Sequence, residues 1–68
     1  MNREKAKEAM EKGLPVRLRR GKEIYVGHLI GRSARRDGRF TFSGESEQGK
    51  PFLYDGHPSE FSLAPKEG

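Results

Sequence analysis

Eight of the side chains between positions 16 and 39 are basic (Arg17, Arg19, Arg20, Lys22, Arg32, Arg35, Arg36 and Arg39), against only Glu23 and Asp37. A guanidinium presents a planar fork of donors that matches two phosphate oxygens at once, so a block of this composition can hold a polyanion. The block falls into two groups. Arg32, Arg35 and Arg36 flank and occupy the run Ser33-Ala34-Arg35-Arg36-Asp37-Gly38, while Arg17, Arg19, Arg20 and Lys22 crowd a second short stretch. His57, in Asp55-Gly56-His57-Pro58, can stack on a base or donate to a phosphate, and Tyr54 just before it can stack as well. Each has a plainer reading beside it. The cations can be a solvated surface, Arg17 and Arg19 the polar side of a strand or protection for a sheet edge, Tyr54 a core aromatic and His57 an ordinary turn residue. The last third of the chain is acidic, with Glu45, Glu47, Asp55, Glu60 and Glu67 against Lys50 and Lys66.

Chemistry of other kinds finds little support. No nucleophile elbow, phosphate-binding glycine loop or dinucleotide fingerprint is present. Asp37, Asp55, His28 and His57 do not form a spaced set, and Glu45 and Glu47 read as solvated loop carboxylates rather than an acid–base pair. With two histidines and no cysteine, neither a structural metal site nor a cofactor is expected. The chain reads as a binding protein, not an enzyme.

These residues need elements to position them. Asn2 can cap a helix over residues 2–12, with Ala6, Ala9 and Met10 on one side and Glu8 placed to pair with Lys12. Gly13 suits the left-handed residue after the last turn, and Pro15 prevents continuation. From there to position 65 the pattern is of strands. Val16 and Leu18 alternate with Arg17 and Arg19; Arg20-Gly21-Lys22 turns the chain; Glu23–Arg32 is a long strand with apolar residues on both sides and a hinge at Gly27. His28 within it reads as a partly buried, hydrogen-bonded histidine. Ser33–Gly38 is a loop, Arg39–Ser43 a third strand, 44–50 a polar loop, Phe52–Tyr54 a fourth strand, Asp55–Pro58 a turn and Glu60–Leu63 a fifth strand, with Phe61 and Leu63 inward. Pro65 ends it and residues 66–68 form a tail. The fold class is therefore mainly β: an N-terminal helix followed by a five-stranded, strongly bent SH3-like small barrel.

The chain has 68 residues, of which 31% are hydrophobic, so it forms one domain with a thin core. Lacking cysteine, such a domain gains most readily from self-association, and a homo-oligomer is expected. No stretch approaches the ~20 apolar residues of a membrane span, and the opening residues mix Lys, Arg and Glu without an apolar run. A cytoplasmic protein without a membrane partner is the expectation.

In Gly21-Lys-Glu-Ile-Tyr-Val-Gly-His-Leu-Ile-Gly31, Tyr25, Gly27 and Leu29 follow a turn glycine as large apolar, Gly and Leu. In Tyr54-Asp-Gly-His-Pro-Ser-Glu-Phe-Ser-Leu-Ala-Pro65, a short loop leads into an apolar strand and a proline. With a helix ahead of five strands, this resembles the Sm/LSm family, including the bacterial Hfq proteins. The first motif carries one extra residue between its glycines. The family's Asp and Asn after strand two are absent, with Ser33, Arg35 and Arg36 nearby instead. Asp55-Gly56-His57 stands where the family has Arg-Gly or Lys-His. The resemblance implies an RNA-binding module whose loops after strands two and four meet around a pore, with Arg35 and Arg36 on phosphate, and a ring in which strand four of one subunit pairs with strand five of the next. Two other readings stand beside it. One is a monomeric SH3-like adaptor or inhibitor that binds a protein in a groove lined by Tyr25, Phe40 or Tyr54. The other is a DNA-binding barrel that uses the basic side of strand one.

Overall fold

The computed structural model describes residues 1–64; the expected strand stop at Pro65 and the tail at 66–68 lie outside the described residues. Helix α1 spans Arg3–Lys12. The Asn2 side chain accepts a 2.8 Å hydrogen bond from the Lys5 N–H, and Gly13 closes the helix at φ 64°. Its Glu8–Lys12 pair forms at 2.8 Å, and Ala6 and Ala9 are buried. Their small side chains let the helix lie close on the sheet, chiefly against β2.

Five strands follow: β1 (Val16–Arg20), β2 (Glu23–Arg32), β3 (Phe40–Ser46), β4 (Pro51–Gly56) and β5 (Phe61–Leu63). All pairings are antiparallel and the sheet order is β4-β3-β2-β1-β5. The first four strands are a meander. The fifth leaves through a 3₁₀ turn at Pro58–Glu60 and returns beside β1, pairing Phe61 with Leu18 and Leu63 with Val16. Among the described residues the sheet is not closed by hydrogen bonds, so β4 and β5 are its edges.

One face of the sheet holds the core. Val16, Leu18, Leu29, Phe40, Phe42 and Phe61 are buried there with Ala6 and Ala9, and Tyr25, Phe52 and Tyr54 pack around them. Tyr25 stacks on Phe52 at 4.2 Å between ring centroids, and Phe52 on Tyr54 at 5.9 Å. Gly27 and Gly44 face each other across β2 and β3. A Cβ at Gly27 would overlap the Ser43 carbonyl oxygen and the Gly44 Cα, so the two backbones approach too closely for any side chain. The expected hinge residue is thus a contact point. The register break of β2 lies farther along, between Leu29 and Gly31, leaving Ile30 bulged outward.

Several boundaries differ from expectation. Residues 44–46 belong to β3 rather than to a loop, because Gly44 is needed opposite Gly27 and Ser46 is buried with its Oγ accepting from the Lys50 N–H. Asp55 and Gly56 extend β4, paired with Thr41 and Phe40. Glu60 belongs to the 3₁₀ turn, and Leu63 remains 47% exposed although its partner Val16 is buried. His28 is exposed, not partly buried: its side of β2 has no second layer over it, and Ile24, Val26 and Ile30 are exposed with it.

Candidate nucleic-acid interface

The two basic groups stand at opposite ends of β2. Arg20 and Lys22 lie at the β1–β2 turn, where Gly21 supplies the positive φ (59°) that a two-residue primed hairpin turn requires. Arg32 closes the other end of β2 and Arg35 and Arg36 lie beyond it, in a molecule whose longest extent is 31 Å. No single surface of this chain therefore gathers all the basic residues.

At the Arg32 end the chain builds a defined cleft. The 33–38 loop is organised by Ser33, whose Oγ accepts from the backbone N–H groups of Arg35 and Arg36 at 3.2 and 3.3 Å. The same hydroxyl donates to Asp55 Oδ2 at 3.1 Å, while Thr41 Oγ1 donates to Asp55 Oδ1 at 2.7 Å. Asp55 thus ties the loop after β2 to β3 and to the end of β4. The Thr41 hydroxyl is the largest influence holding this carboxyl below the usual aspartate range, and Ser33, Arg35 and Arg36 add to it. The side chains of Arg35 and Arg36 project from this frame and are exposed.

Beside the loop is a cleft of ≈ 330 Å³ lined by Arg3, Arg32, Ser33, Asp37, Gly38, Arg39 and Phe40. Arg32 comes from the end of β2, Arg39 immediately precedes β3 and Arg3 comes from the first turn of α1. Arg3 and Arg39 were not among the expected site residues. Arg39 belongs to the basic block by composition, but its place beside the cleft follows from the β2–β3 pairing, in which Arg32 is opposite Phe40 and the Ser33 N–H donates to the Arg39 carbonyl at 2.9 Å. Nothing local in the sequence brings Arg3 to Gly38. Arg3, Arg32 and Arg39 line this cleft with Asp37, and the exposed Arg35 and Arg36 stand on the adjoining loop, bringing five guanidinium groups to this end of the sheet. Among the described residues the ion pairs within 4.0 Å are Lys5–Glu8, Lys7–Glu11 and Lys12–Glu8, all on α1, so none of these five arginines is paired.

His57 borders a neighbouring hollow of ≈ 610 Å³ with Met1, Asn2, Arg3, Gly38, Pro58 and Ser59. It also caps the 3₁₀ turn: its N–H donates to Glu60 Oε2 at 2.8 Å, and its Nδ1 accepts from the Ser59 N–H at 3.4 Å. Its structural task is therefore assigned, with the exposed ring beside the arginine cleft. Tyr54 is a packed core aromatic. Its ring stacks with Phe52, carries the Arg20 guanidinium 4.7 Å above its centroid, and its hydroxyl donates to Glu60 Oε1 at 2.7 Å. That hydrogen bond is the main cause pushing the phenol above its ordinary range and drawing the Glu60 carboxyl below its own. With Arg20 over it, Tyr54 has that ring face covered. Arg20 is drawn inward by this contact, while Arg17 and Arg19 face out on the other side of β1. The expected second phosphate surface is accordingly divided between two faces of the sheet. Phe40, one of the residues expected to line a peptide groove, is 2% exposed and cannot do so.

Among the described residues no three His, Cys, Asp or Glu side chains gather as a metal site, and no helix is long and apolar enough to cross a membrane. No family model, curated protein or solved structure matches the chain.

Proposed function

We propose that this chain is a nucleic-acid-binding module that takes single-stranded RNA at the arginine cleft. The observation that carries the reading is the convergence of Arg3, Arg32, Arg35, Arg36 and Arg39 on one end of the sheet, unpaired among the described residues and framed by hydrogen-bonded loops. Such a site grips phosphates, and the exposed ring of His57 beside it offers a surface for an unpaired base. The five-stranded antiparallel sheet behind a short helix supports a small Sm-like or SH3-like barrel as its architecture. The free edges of β4 and β5 offer hydrogen-bonding groups through which subunits would join.

Duplex DNA fits less well. The lysines along α1 are matched by Glu8 and Glu11, and its apolar side is buried on the sheet, so no basic recognition helix is free to enter a major groove.

The test is fluorescence anisotropy with a labelled single-stranded RNA over a salt series, with single-stranded and duplex DNA of the same sequence as parallel arms. Five phosphate contacts on a single strand give a slope of log K against log salt of about −3.5. In the variant Arg35→Ala with Arg36→Ala the slope falls to about −2, whereas Arg17→Ala with Arg19→Ala leaves it near the wild-type value. A wild-type protein with no affinity at low salt, or a slope indifferent to Arg35 and Arg36, contradicts the assignment.

A further inference from the structure

The side of the sheet away from the core is charged in a pattern that fits a second copy of itself. We infer that this outer face is a contact between two copies of the chain, packed face to face about a two-fold axis running along β2. The inference stands apart from the nucleic-acid reading and uses none of the cleft residues.

Three observations carry it. First, Ile24, Val26, Ile30 and Leu53 are 36%, 47%, 61% and 69% exposed, although the chain is only 31% hydrophobic. Large apolar side chains left in water mark a contact surface; here Ile24, Val26 and Ile30 share one side of β2 with the exposed His28 among them, and Leu53 lies on β4 in the same row as His28. Second, the apolar stripe has opposite charges on its two sides. The pairing register runs Arg17 on β1, Val26 on β2 and Glu45 on β3 in one row across the sheet. One step along, Arg19 is opposite Ile24, and Glu47 borders the same shallow depression as Ile24, Val26 and Glu45. Third, none of these four charges has an ion-pair partner within 4.0 Å among the described residues. Neighbouring strands are about 4.8 Å apart, so the backbones that carry cation and anion are about 10 Å from each other with Val26 between them. In the structure the two charges do not close over Val26, and both remain free to meet charges on another molecule.

The pattern also fixes the symmetry. A two-fold contact must be self-complementary. Rotation about an axis along β2 brings the arginine side of one copy over the glutamate side of the other, so that Arg17 and Arg19 meet the partner copy's acidic flank twice per dimer. An axis across the strands would bring arginines over arginines and is excluded by repulsion. The stripe is only a few side chains wide, so the contact is of the small, concentration-dependent kind rather than an obligate one.

Charge reversal tests this decisively, because all four sites are exposed and tolerate substitution. Sedimentation equilibrium on nucleic-acid-free protein, from about 10 μM to about 1 mM, follows the wild type, Arg17→Glu with Arg19→Glu, and Glu45→Arg with Glu47→Arg. Circular dichroism melts confirm that each variant folds. The wild type dimerises, and each reversed variant self-associates at least about tenfold more weakly. An equimolar mixture of the two variants restores the dimer, since one chain is then acidic on both sides of the stripe and the other basic. A wild type that stays monomeric throughout, or a mixture that fails to associate, overturns the inference. An assembly unchanged by either reversal overturns it too, and points to the edges of β4 and β5 instead.

Discussion

Replacing Gly27 by alanine should be far costlier than replacing Gly31, although both lie in β2 four residues apart. At Gly27 the new Cβ overlaps the Ser43 carbonyl oxygen and the Gly44 Cα, and lies 2.7 Å from the Ser43 carbonyl carbon. These are backbone atoms of β3 and cannot rotate away. Ordinary contact begins at 3.4 Å, so β3 must withdraw by more than about 1 Å. A withdrawal of that size takes neighbouring N–H···O contacts beyond bonding distance. Losing about two ladder bonds at ~1 kcal/mol each, with an overpacking cost of ~1–3 kcal/mol, gives a destabilisation of about 3–5 kcal/mol. A single core this small supplies only about 3–5 kcal/mol, so Gly27→Ala leaves the fold at its margin. At Gly31 nothing lies within 4 Å of the added methyl group and φ is not positive. Gly31→Ala should therefore be neutral or stabilise by up to about 1 kcal/mol through the unfolded chain. Urea unfolding followed by circular dichroism measures both. If Gly27→Ala unfolds at the same urea concentration as Gly31→Ala, the close approach of β2 and β3 is wrong, and with it the frame that positions the cleft.

Further expectations concern the groups that hold the loops. Asp55 has its folded pKa depressed by Thr41 and Ser33, so its contribution is present above the unfolded aspartate value, near 4, and is lost as pH falls through the lower folded value. Asp55→Asn should remove that acid dependence, and amide exchange should quicken across Ser33–Gly38 while α1 keeps its protection. Tyr54 is the opposite case: its folded pKa is raised, so its contribution is present below the unfolded tyrosine value, near 10, and is lost as pH rises through the folded value. Tyr54→Phe should cost up to about 1 kcal/mol and flatten the alkaline fall in stability seen in thermal melts at pH 8 to 11. Asn2→Ala should cost about 1 kcal/mol in the same melts through loss of the helix cap; an unchanged melting temperature would mean that Asn2 does not hold α1.

What was legible in the sequence was local. Asn2, the alanines of α1 and Gly13 are within a few residues of the groups they serve, and they mark the helix to within one residue of its bounds. The strand alternation of Val16 and Leu18 likewise locates β1. The misreadings are tertiary. Gly44 reads as a strand breaker until Gly27 is seen opposite it, and Asp55-Gly56 reads as a turn until Thr41 claims the carboxylate. The apolar residues on both sides of β2 read as a long bent strand shared by two halves of a barrel, but no second layer covers Ile24, Val26 and His28. In the cleft, Arg35 and Arg36 follow from charge clustering alone. Arg39 needs the strand register, and Arg3 needs the helix laid across the end of the sheet.

The most direct measurement of the binding claim is a titration of ¹⁵N-labelled protein with a single-stranded RNA oligomer, followed through backbone amide shifts. Binding at the arginine cleft should give salt-sensitive shifts concentrated at Ser33–Arg39 and at Arg3, with the Ile24, Val26 and His28 amides unmoved. Shifts confined to the outer face of the sheet, or none at low salt, would contradict it.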